Sequence, residues 1–262
     1  MNEPKFTVPT VVWRGASAAG MRCLPEETAI ALTYDRRSFA VMMASPQDLE
    51  DFALGFSLSE GIIETFADIL SLEIITLAQG IECRMELAPG RREALDQRRR
   101  YIAGPAGCGL CGMDSLDQAI RPPRLVPHTL RVAPAAIAAA VARLATQQHL
   151  NHETRAVHAA GIFTPAANHI LVREDVGRHN ALDKAIGAAA RLPQAPRVVL
   201  VTSRVSIELI QKAAMFGAEI FVAVSVPSAR AVRDAEQAGM TLVAIARDDG
   251  FEVFTHGERL GF

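Results

Sequence analysis

The sequence has few cysteines and no long apolar run, and both absences narrow the class of protein. Four cysteines in 262 residues cannot form a disulfide scaffold, so a hydrophobic core must hold the fold together. Cys23 and Cys83 stand alone and are expected to be buried or half-buried structural side chains. Residues 1–10 contain no apolar stretch typical of a secretory signal, and the Ala-rich stretch 133–145 is interrupted by Arg143. We therefore expect a soluble protein without an export signal or a membrane span, located in the reducing cytoplasm.

An excess of basic charge is also missing. The formal net charge is −2 at pH 7, whereas nucleic-acid-binding domains usually carry a strongly basic face, so we expect no nucleic-acid partner. The dense basic clusters are local, at Arg91–Arg92 and at Arg98–Arg100. Such clusters usually form the solvated face of a helix. Because Arg100 precedes Cys108 closely, the second cluster could also hold an anionic cofactor or partner near a thiol.

The chain up to about residue 125 is predicted to be a small α+β unit, which ends at the proline-rich stretch 122–127. Short apolar runs bounded by turn residues indicate two hairpins, and helical spacing at Leu49, Phe52 and Phe56 indicates a helix between them. The predicted elements are strands at 28–34 and 38–44, a helix at 46–61, and strands at 69–78 and 82–88. We expect antiparallel pairing in this unit.

The pattern changes in residues 126–262, where apolar runs alternate with helical segments. The predicted strands are 157–164, 168–173, 197–202, 219–226 and 241–246, and the predicted helices are 134–149, 178–191, 206–217 and 228–239. Continuous apolar runs such as 198–201 suit strands that are covered on both faces. We therefore predict an α/β fold, with a layered C-terminal domain built on a largely parallel sheet and a smaller N-terminal α+β part.

Cys108 and Cys111 form a C-x-x-C pair in the glycine-rich segment 104–112. The glycines permit close approach of the backbone to a partner, and the predicted helix start at Asp114–Ser115 favours a thiolate at Cys111. A structural zinc site would need further ligands, yet the sequence has no second C-x-x-C and no H-x-x-x-H. A redox pair of the thioredoxin type would open a βαβ unit, which this motif does not do. From the residues alone, metal binding and thiol transfer as a persulfide carrier stay equally open.

Two predicted strand ends carry polar side chains suited to a ligand. They contribute Arg178, His179 and Asn180 at the first end, and Ser203 and Arg204 at the second. In open α/β sheets, ligands bind where a strand ends and a helix begins. An arginine fork can hold a phosphate, imidazole and amide groups can bond polar ligand edges, and a helix N-terminus favours an anion.

A third strand end and one histidine also stand out. The segment in which the last predicted strand ends consists of Ile245, Ala246, Arg247, Asp248, Asp249 and Gly250. Arg247 could meet an anionic ligand there, although the segment by itself is typical of an ordinary hairpin turn. His158 enters an apolar strand and needs a hydrogen-bond partner if it is buried; a satisfied core histidine is the more common outcome.

Five segments together resemble the FdhD family, the formate dehydrogenase accessory sulfurtransferases. They are Ser59-Glu60-Gly61-Ile62-Ile63, the loop Gly107–Gly112, Val157-His158-Ala159, the run Glu174–Lys184 and Thr202-Ser203-Arg204. The resemblance extends over about residues 25–256 and follows the family's order. The run from Glu174 is far more specific than an isolated C-x-x-C.

The resemblance implies a maturation step for formate dehydrogenase. A cysteine desulfurase would load sulfur onto Cys108 as a persulfide, with assistance from Cys111. The sulfur would pass to a molybdenum bis(molybdopterin guanine dinucleotide) cofactor, and the segment Ile245–Gly250 would bind that cofactor. Asp248 and Asp249 depart from the family, in which a more basic or Gly-Pro turn is common. The resemblance also implies a homodimer and a larger domain with the cytidine deaminase fold.

Two alternatives come from other classes. A zinc-dependent deaminase would need H-x-E before P-C-x-x-C, but Pro105 does not adjoin Cys108 and no H-x-E precedes the loop. A non-catalytic chaperone would bind the pterin dinucleotide without transferring sulfur. Cyanide-labile sulfur on the purified protein distinguishes a carrier from such a chaperone.

Overall fold

The computed structural model describes residues 3–93, 95–96, 122–192 and 198–262, and the element numbers below count these parts only. Its strands form three sheets. The first sheet is an antiparallel hairpin of β1 (Lys5–Trp13) and β2 (Ser17–Pro25). The sequence analysis missed it because neither face is buried, so the strands lack the pattern of a half-buried strand; Val11 is 78% exposed and Trp13 is 73% exposed.

The second sheet has four strands in the order β4-β3-β6-β5. They are β3 (Thr28–Tyr34), β4 (Arg37–Ala44), β5 (Ile69–Leu77) and β6 (Gly80–Leu87). Both predicted hairpins are confirmed, but the expectation of antiparallel pairing is wrong for the central pair β3–β6, which is parallel. The reason is the crossover helix α1 (Leu49–Ser59) between the hairpins, because such a connection lets two strands run in the same direction.

Helix α1 covers one face of the four-stranded sheet and completes its core. Phe52 and Phe56 pack there with Ile30, Leu32 and Met85. The hydroxyl of Tyr34 lies 2.7 Å from that of Ser57 on the helix. Cys83 is fully buried in the same core, and burial raises the pKa of its thiol to about 12. Cys83 is therefore structural, as predicted, and Cys23 is half-buried on the hairpin.

The third sheet has six strands in the order β12-β11-β10-β9-β7-β8. They are β7 (His158–Thr164), β8 (His169–Asp175), β9 (Val198–Val201), β10 (Ile220–Ala223), β11 (Thr241–Arg247) and β12 (Gly250–Thr255). The prediction of a largely parallel sheet is wrong, since only β9–β10 and β10–β11 pair in parallel. The connections β7–β8 and β11–β12 are too short for a crossover and therefore form hairpins.

Helices cover both faces of the six-stranded sheet, which confirms the layered α/β arrangement. One face carries α4 (Arg178–Ala190), α5 (Ile207–Phe216) and α6 (Ala229–Ala238). The other face carries α2 (Pro134–Thr146), which is followed by the short α3 (His149–Thr154). The predicted helix 134–149 thus ends before Gln147. None of the helices in the described ranges is long and apolar enough to cross a membrane.

Two glycines let the two larger sheets share one helical layer. A Cβ atom on Gly55 of α1 would lie 1.7 Å from the carbonyl oxygen of Asp183 on α4, and one on Gly187 would lie 1.9 Å from that of Asp51. Any larger side chain would force the helices apart, so α1 and α4 depend on glycine at both positions. The division into domains at residue 125 stays a prediction.

Candidate functional site

Four strands of the six-stranded sheet end at one edge. β7 is antiparallel to both of its neighbours β8 and β9, so β8 and β9 run in the same direction, as do β10 and β11. The turns after β8, β9 and β11 therefore lie at the same edge, which is where open α/β sheets bind ligands. β7 begins at this edge with His158, between the end of β8 and the end of β9.

Helix α4 begins at this edge without a cap. Gly177 occupies the N-cap position, no side chain caps the helix, and its first turn contains no acidic residue. Arg178 and His179 stand in that turn, and the buried atoms Arg178 Nε and His179 Nε2 have no hydrogen-bond partner within the described residues. Uncapped backbone N–H groups beside an arginine make this N-terminus suited to an anion.

The two histidines at the edge are uncharged at neutral pH. His179 is 6% exposed, and burial, together with the charges of Lys212 and Arg178, lowers its pKa to about 3. Partial burial and the charge of Arg178 lower the pKa of His158 as well, and the opposing Asp175 offsets only part of this effect. Neutral imidazoles can donate or accept hydrogen bonds without repelling a nearby cation.

Asn180 belongs to a buried network that holds the turn before α4. Its amide nitrogen lies 2.8 Å from the carbonyl oxygen of Met43 and 3.0 Å from Asp175 Oδ1. Lys184 Nζ lies 2.7 Å from Asp175 Oδ2 and donates to the carbonyl oxygen of Ser45 at 2.8 Å. These contacts use both amide hydrogens of Asn180, so only its side-chain oxygen could serve a ligand.

A second buried network connects α1, α4 and α5. Lys212 Nζ lies 3.0 and 2.9 Å from the two carboxylate oxygens of Asp183, and 2.9 Å from both Ser59 Oγ and Glu60 Oε1. Burial disfavours the charged form of Lys212, but the carboxylates of Asp183 and Glu60 outweigh that effect and raise its pKa. The network joins the Ser59-Glu60 segment to the Glu174–Lys184 run, two segments that are far apart in the sequence.

The turn after β9 places its predicted residues differently. Ser203 is buried and its hydroxyl donates to the adjacent carbonyl oxygen of Arg204 at 3.0 Å, whereas the Arg204 side chain is exposed. Ser206 is the N-cap of α5, yet its hydroxyl caps nothing. Ser206 Oγ and Glu208 Oε2 are buried and unpartnered in the described parts of the chain. Sequence reasoning missed Glu208 and Lys212. The available signal was their spacing of one helical turn within a helix whose other residues, apart from Gln211, are apolar.

The segment 245–250 lies at the same edge but away from Arg178. Its Arg247, Asp248, Asp249 and Gly250 are exposed and form the hairpin turn between β11 and β12. Ile245 has a positive φ of 54°, which is strained for a β-branched residue and often marks a functional segment. Since β8 and β11 are separated by three strands, their ends are roughly 19 Å apart. Only an extended ligand could contact both ends.

Cys108 and Cys111, together with Arg98–Arg100, lie outside the described residues. Their positions relative to the edge therefore stay predictions. Among the residues that the structure does describe, no group of three His, Cys, Asp or Glu side chains could hold a metal ion.

The fold is that of an α/β protein whose polar side chains gather at the carboxyl ends of its strands, and comparisons give its family. The sequence profile of the FdhD/NarQ family matches residues 25–261. The chain is 46% identical over 257 residues to "Sulfur carrier protein FdhD" of Agrobacterium fabrum, covering 96% of this chain and 94% of the relative. It is 49% identical over 242 residues to the protein of the same name from Brucella abortus, covering 91% and 90%. The chain belongs to the FdhD/NarQ family.

A solved structure shares the fold. The crystal structure of a proposed formate dehydrogenase accessory protein from Desulfotalea psychrophila superimposes with a TM-score of 0.76, and covers 98% of this chain and 100% of that one. The two sequences are 24% identical, so the likeness concerns the fold alone. The resemblance to cytidine deaminases stays a prediction.

Proposed function

We propose that this chain is a sulfurtransferase that carries sulfur from a cysteine desulfurase to a molybdenum bis(molybdopterin guanine dinucleotide) cofactor for a formate dehydrogenase. The observation that carries the proposal is the family match over residues 25–261, a range that contains Cys108 and Cys111. Relatives that are nearly half identical are named sulfur carriers. The cofactor is the substrate that receives the sulfur. A homodimer in the cytoplasm is part of the same proposal.

The carrier step requires a thiolate. The Cys108 thiolate attacks the activated sulfur of the donor, a new S–S bond forms on Cys108, and the bond between that sulfur and the donor breaks with departure of the donor thiolate. Cys111, near the predicted helix start, stabilises the persulfide or helps to release it. The glycines on both sides leave the sulfur accessible to the next acceptor.

The cofactor's guanine nucleotide end is assigned to the edge formed by the ends of β8 and β9. The uncapped N-terminus of α4, the unpartnered Arg178 Nε and the neutral His179 support this assignment, because together they supply hydrogen-bond donors and positive potential. The segment 245–250 would contact another part of the same extended cofactor.

Intact mass spectrometry tests the carrier role. The protein is incubated with a cysteine desulfurase and cysteine, and an adduct of about 32 Da, one sulfur atom, is sought. The adduct is expected on the wild type and on Cys111→Ala, and is expected to vanish in Cys108→Ala. The reverse pattern would assign the carrier role to Cys111. No adduct on the wild type would favour the alternative function, a cofactor chaperone without sulfur transfer.

A further inference from the structure

Buried polar atoms without partners concentrate at the N-termini of α4 and α5. They are Arg178 Nε, His179 Nε2, Ser206 Oγ and Glu208 Oε2, whereas the rest of the described chain contains only Asp234 Oδ2 and Arg259 Nε. A buried polar atom that bonds to nothing costs free energy and is uncommon in native proteins. Such a concentration at a strand-end edge indicates that a bound molecule supplies the missing partners.

The helical register relates two of these side chains, His179 and Glu208, to the Asp183–Lys212 pair that joins α4 and α5. Asp183 and Lys212, which contact each other, belong to α4 and α5. One turn closer to the edge, on the same faces, stand His179 on α4 and Glu208 on α5. Both helices leave the same edge of the sheet and extend away from it. The register therefore puts His179 and Glu208 one helical turn nearer to the strand ends than the Asp183–Lys212 pair, each on its own helix.

Glu208 is not engaged in capping its own helix. It stands second in α5, after the N-cap Ser206, and no side chain of that N-terminus accepts a cap hydrogen bond. A carboxylate in this position is stabilised by the helix dipole. Its buried Oε2 accepts no hydrogen bond from the described residues, which leaves this oxygen available to an N–H donor of a ligand.

The hydrogen-bonding groups of His179 and Glu208 favour one arrangement of donors and acceptors on a ligand ring. A carboxylate would repel a phosphate, so Glu208 does not serve the anionic part of a nucleotide. A carboxylate can accept two parallel N–H groups, and a neutral imidazole with its hydrogen on Nε2 can donate to a carbonyl oxygen. The 2-amino-4-oxopyrimidine ring, which guanine and pterin share, presents these groups side by side. They are an amino group, a ring N–H and a carbonyl.

We propose that Glu208 is the specificity-determining residue of this edge, where it accepts hydrogen bonds from the 2-amino-4-oxopyrimidine ring of guanine or pterin while His179 faces the ring carbonyl. The inference rests on the proposed function, because that function brings a molecule with both rings to this edge. Arg178 and the N-terminus of α4 hold the adjoining phosphates.

Calorimetry with GDP, IDP and ADP tests the inference. IDP lacks the 2-amino group of GDP, and ADP lacks both the amide N–H and the carbonyl. The wild type is expected to bind GDP about 10- to 100-fold more tightly than IDP, since one hydrogen bond to a charged group is worth that ratio. Glu208→Gln keeps the side-chain volume and is expected to lose most of this preference. Glu208→Asp, which keeps the charge but shortens the reach, should retain part of it.

Control measurements separate the outcomes. Glu236→Gln removes the same charge from exposed Glu236 on α6 and is expected to keep the GDP preference. Thermal unfolding of each variant reports whether its fold is intact.

Pterin-6-carboxylate serves as the second probe: if it binds in a Glu208-dependent way and GDP does not, the inference stands with pterin as the ring. GDP binding with an unchanged GDP-to-IDP ratio in Glu208→Gln overturns the role of Glu208 alone. If the wild type binds neither probe, the nucleotide assignment fails together with the inference.

Discussion

Two buried lysines, Lys184 on α4 and Lys212 on α5, both stabilise the packing of α1 against α4 (the α1–α4 junction), but their surroundings differ. Lys184 is fully buried, and Asp175 and the carbonyl oxygen of Ser45 satisfy its ammonium group. Lys212 also binds an aspartate, but its network extends to Glu60. One helical turn nearer to the strand ends, His179 Nε2 and Glu208 Oε2 have no hydrogen-bond partner among the described residues. The first network is closed by the protein itself. The second borders atoms without such partners, so we expect the first network to serve stability and the second to take part in the proposed ligand binding.

The largest effect is expected from Lys184→Met. This change leaves the Asp175 carboxylate buried without its cation, which typically costs about 3–5 kcal/mol of unfolding free energy. Denaturant unfolding followed by circular dichroism measures it. Nucleotide affinity of the folded fraction should stay close to that of the wild type. A loss below about 1 kcal/mol would contradict the structural role of this network.

Lys212→Met is expected to act on both stability and binding. It leaves Asp183 and Glu60 facing each other, at a cost of about 3 kcal/mol. It also removes positive charge from the ligand edge, so GDP affinity is expected to fall by about tenfold or more. Calorimetry on the variant, under conditions where unfolding data show it to be folded, gives the second value. Unchanged affinity would make the two lysines equivalent and remove the contrast.

His179 is expected to make stability depend on pH. Its folded pKa of about 3 lies below the unfolded value of about 6.5, so the unfolded state binds the proton first as the pH falls. The free energy of unfolding should therefore fall by about 1.4 kcal/mol per pH unit below pH 6.5, or about 2 kcal/mol by pH 5. His179→Gln should lose most of this slope, and a smaller part should remain because the pKa of His158 is lowered as well. Urea unfolding at a series of pH values measures both. A matched change of the exposed His149 to Gln should retain it.

The smallest loss of unfolding free energy is expected at the solvent-exposed end of α4, where it packs beside α1. Arg191, which follows α4, lies 3.4 Å from Glu50 and 3.1 Å from Asp51, and its side chain is 44% exposed. Exposed ion pairs contribute little, so Arg191→Met should cost less than about 1 kcal/mol in the same unfolding experiment. A cost close to that of Lys184→Met would mean that burial does not explain the difference.

Local patterns predicted most elements correctly, and the errors have physical reasons. The hairpins β3–β4 and β5–β6 and the helices α4, α5 and α6 follow from apolar periodicity, which a single segment contains in full. The hairpin β1–β2 has two exposed faces, so its residues carry little of that signal. The error in the third sheet arose because alternating strands and helices resemble βαβ units even where two short connections turn the chain back.

The candidate site shows the same limit at the level of residues. Arg178, His179 and Ser203 could be singled out because each follows a strand end in the sequence. The spacing of Glu208 and Lys212 is a weaker signal, since a polar residue in a helix is usually solvated. Only the tertiary structure shows that Lys212 and the Oε2 atom of Glu208 are buried. The amide hydrogens of Asn180 bond to Met43 and Asp175 and hold the protein's own turn, while a role of its side-chain oxygen toward a ligand stays a prediction.

The sequence by itself determined the family, the helices and strands with one buried face, and the polar residues at strand ends, because these features depend on neighbouring residues. The tertiary structure alone decided which strands are parallel, which glycines permit α1 to approach α4, and which lysine is satisfied. Those properties depend on residues that are distant in the chain and meet only on folding. Lys212 illustrates this, because its partners Ser59, Glu60 and Asp183 come from two other helical segments.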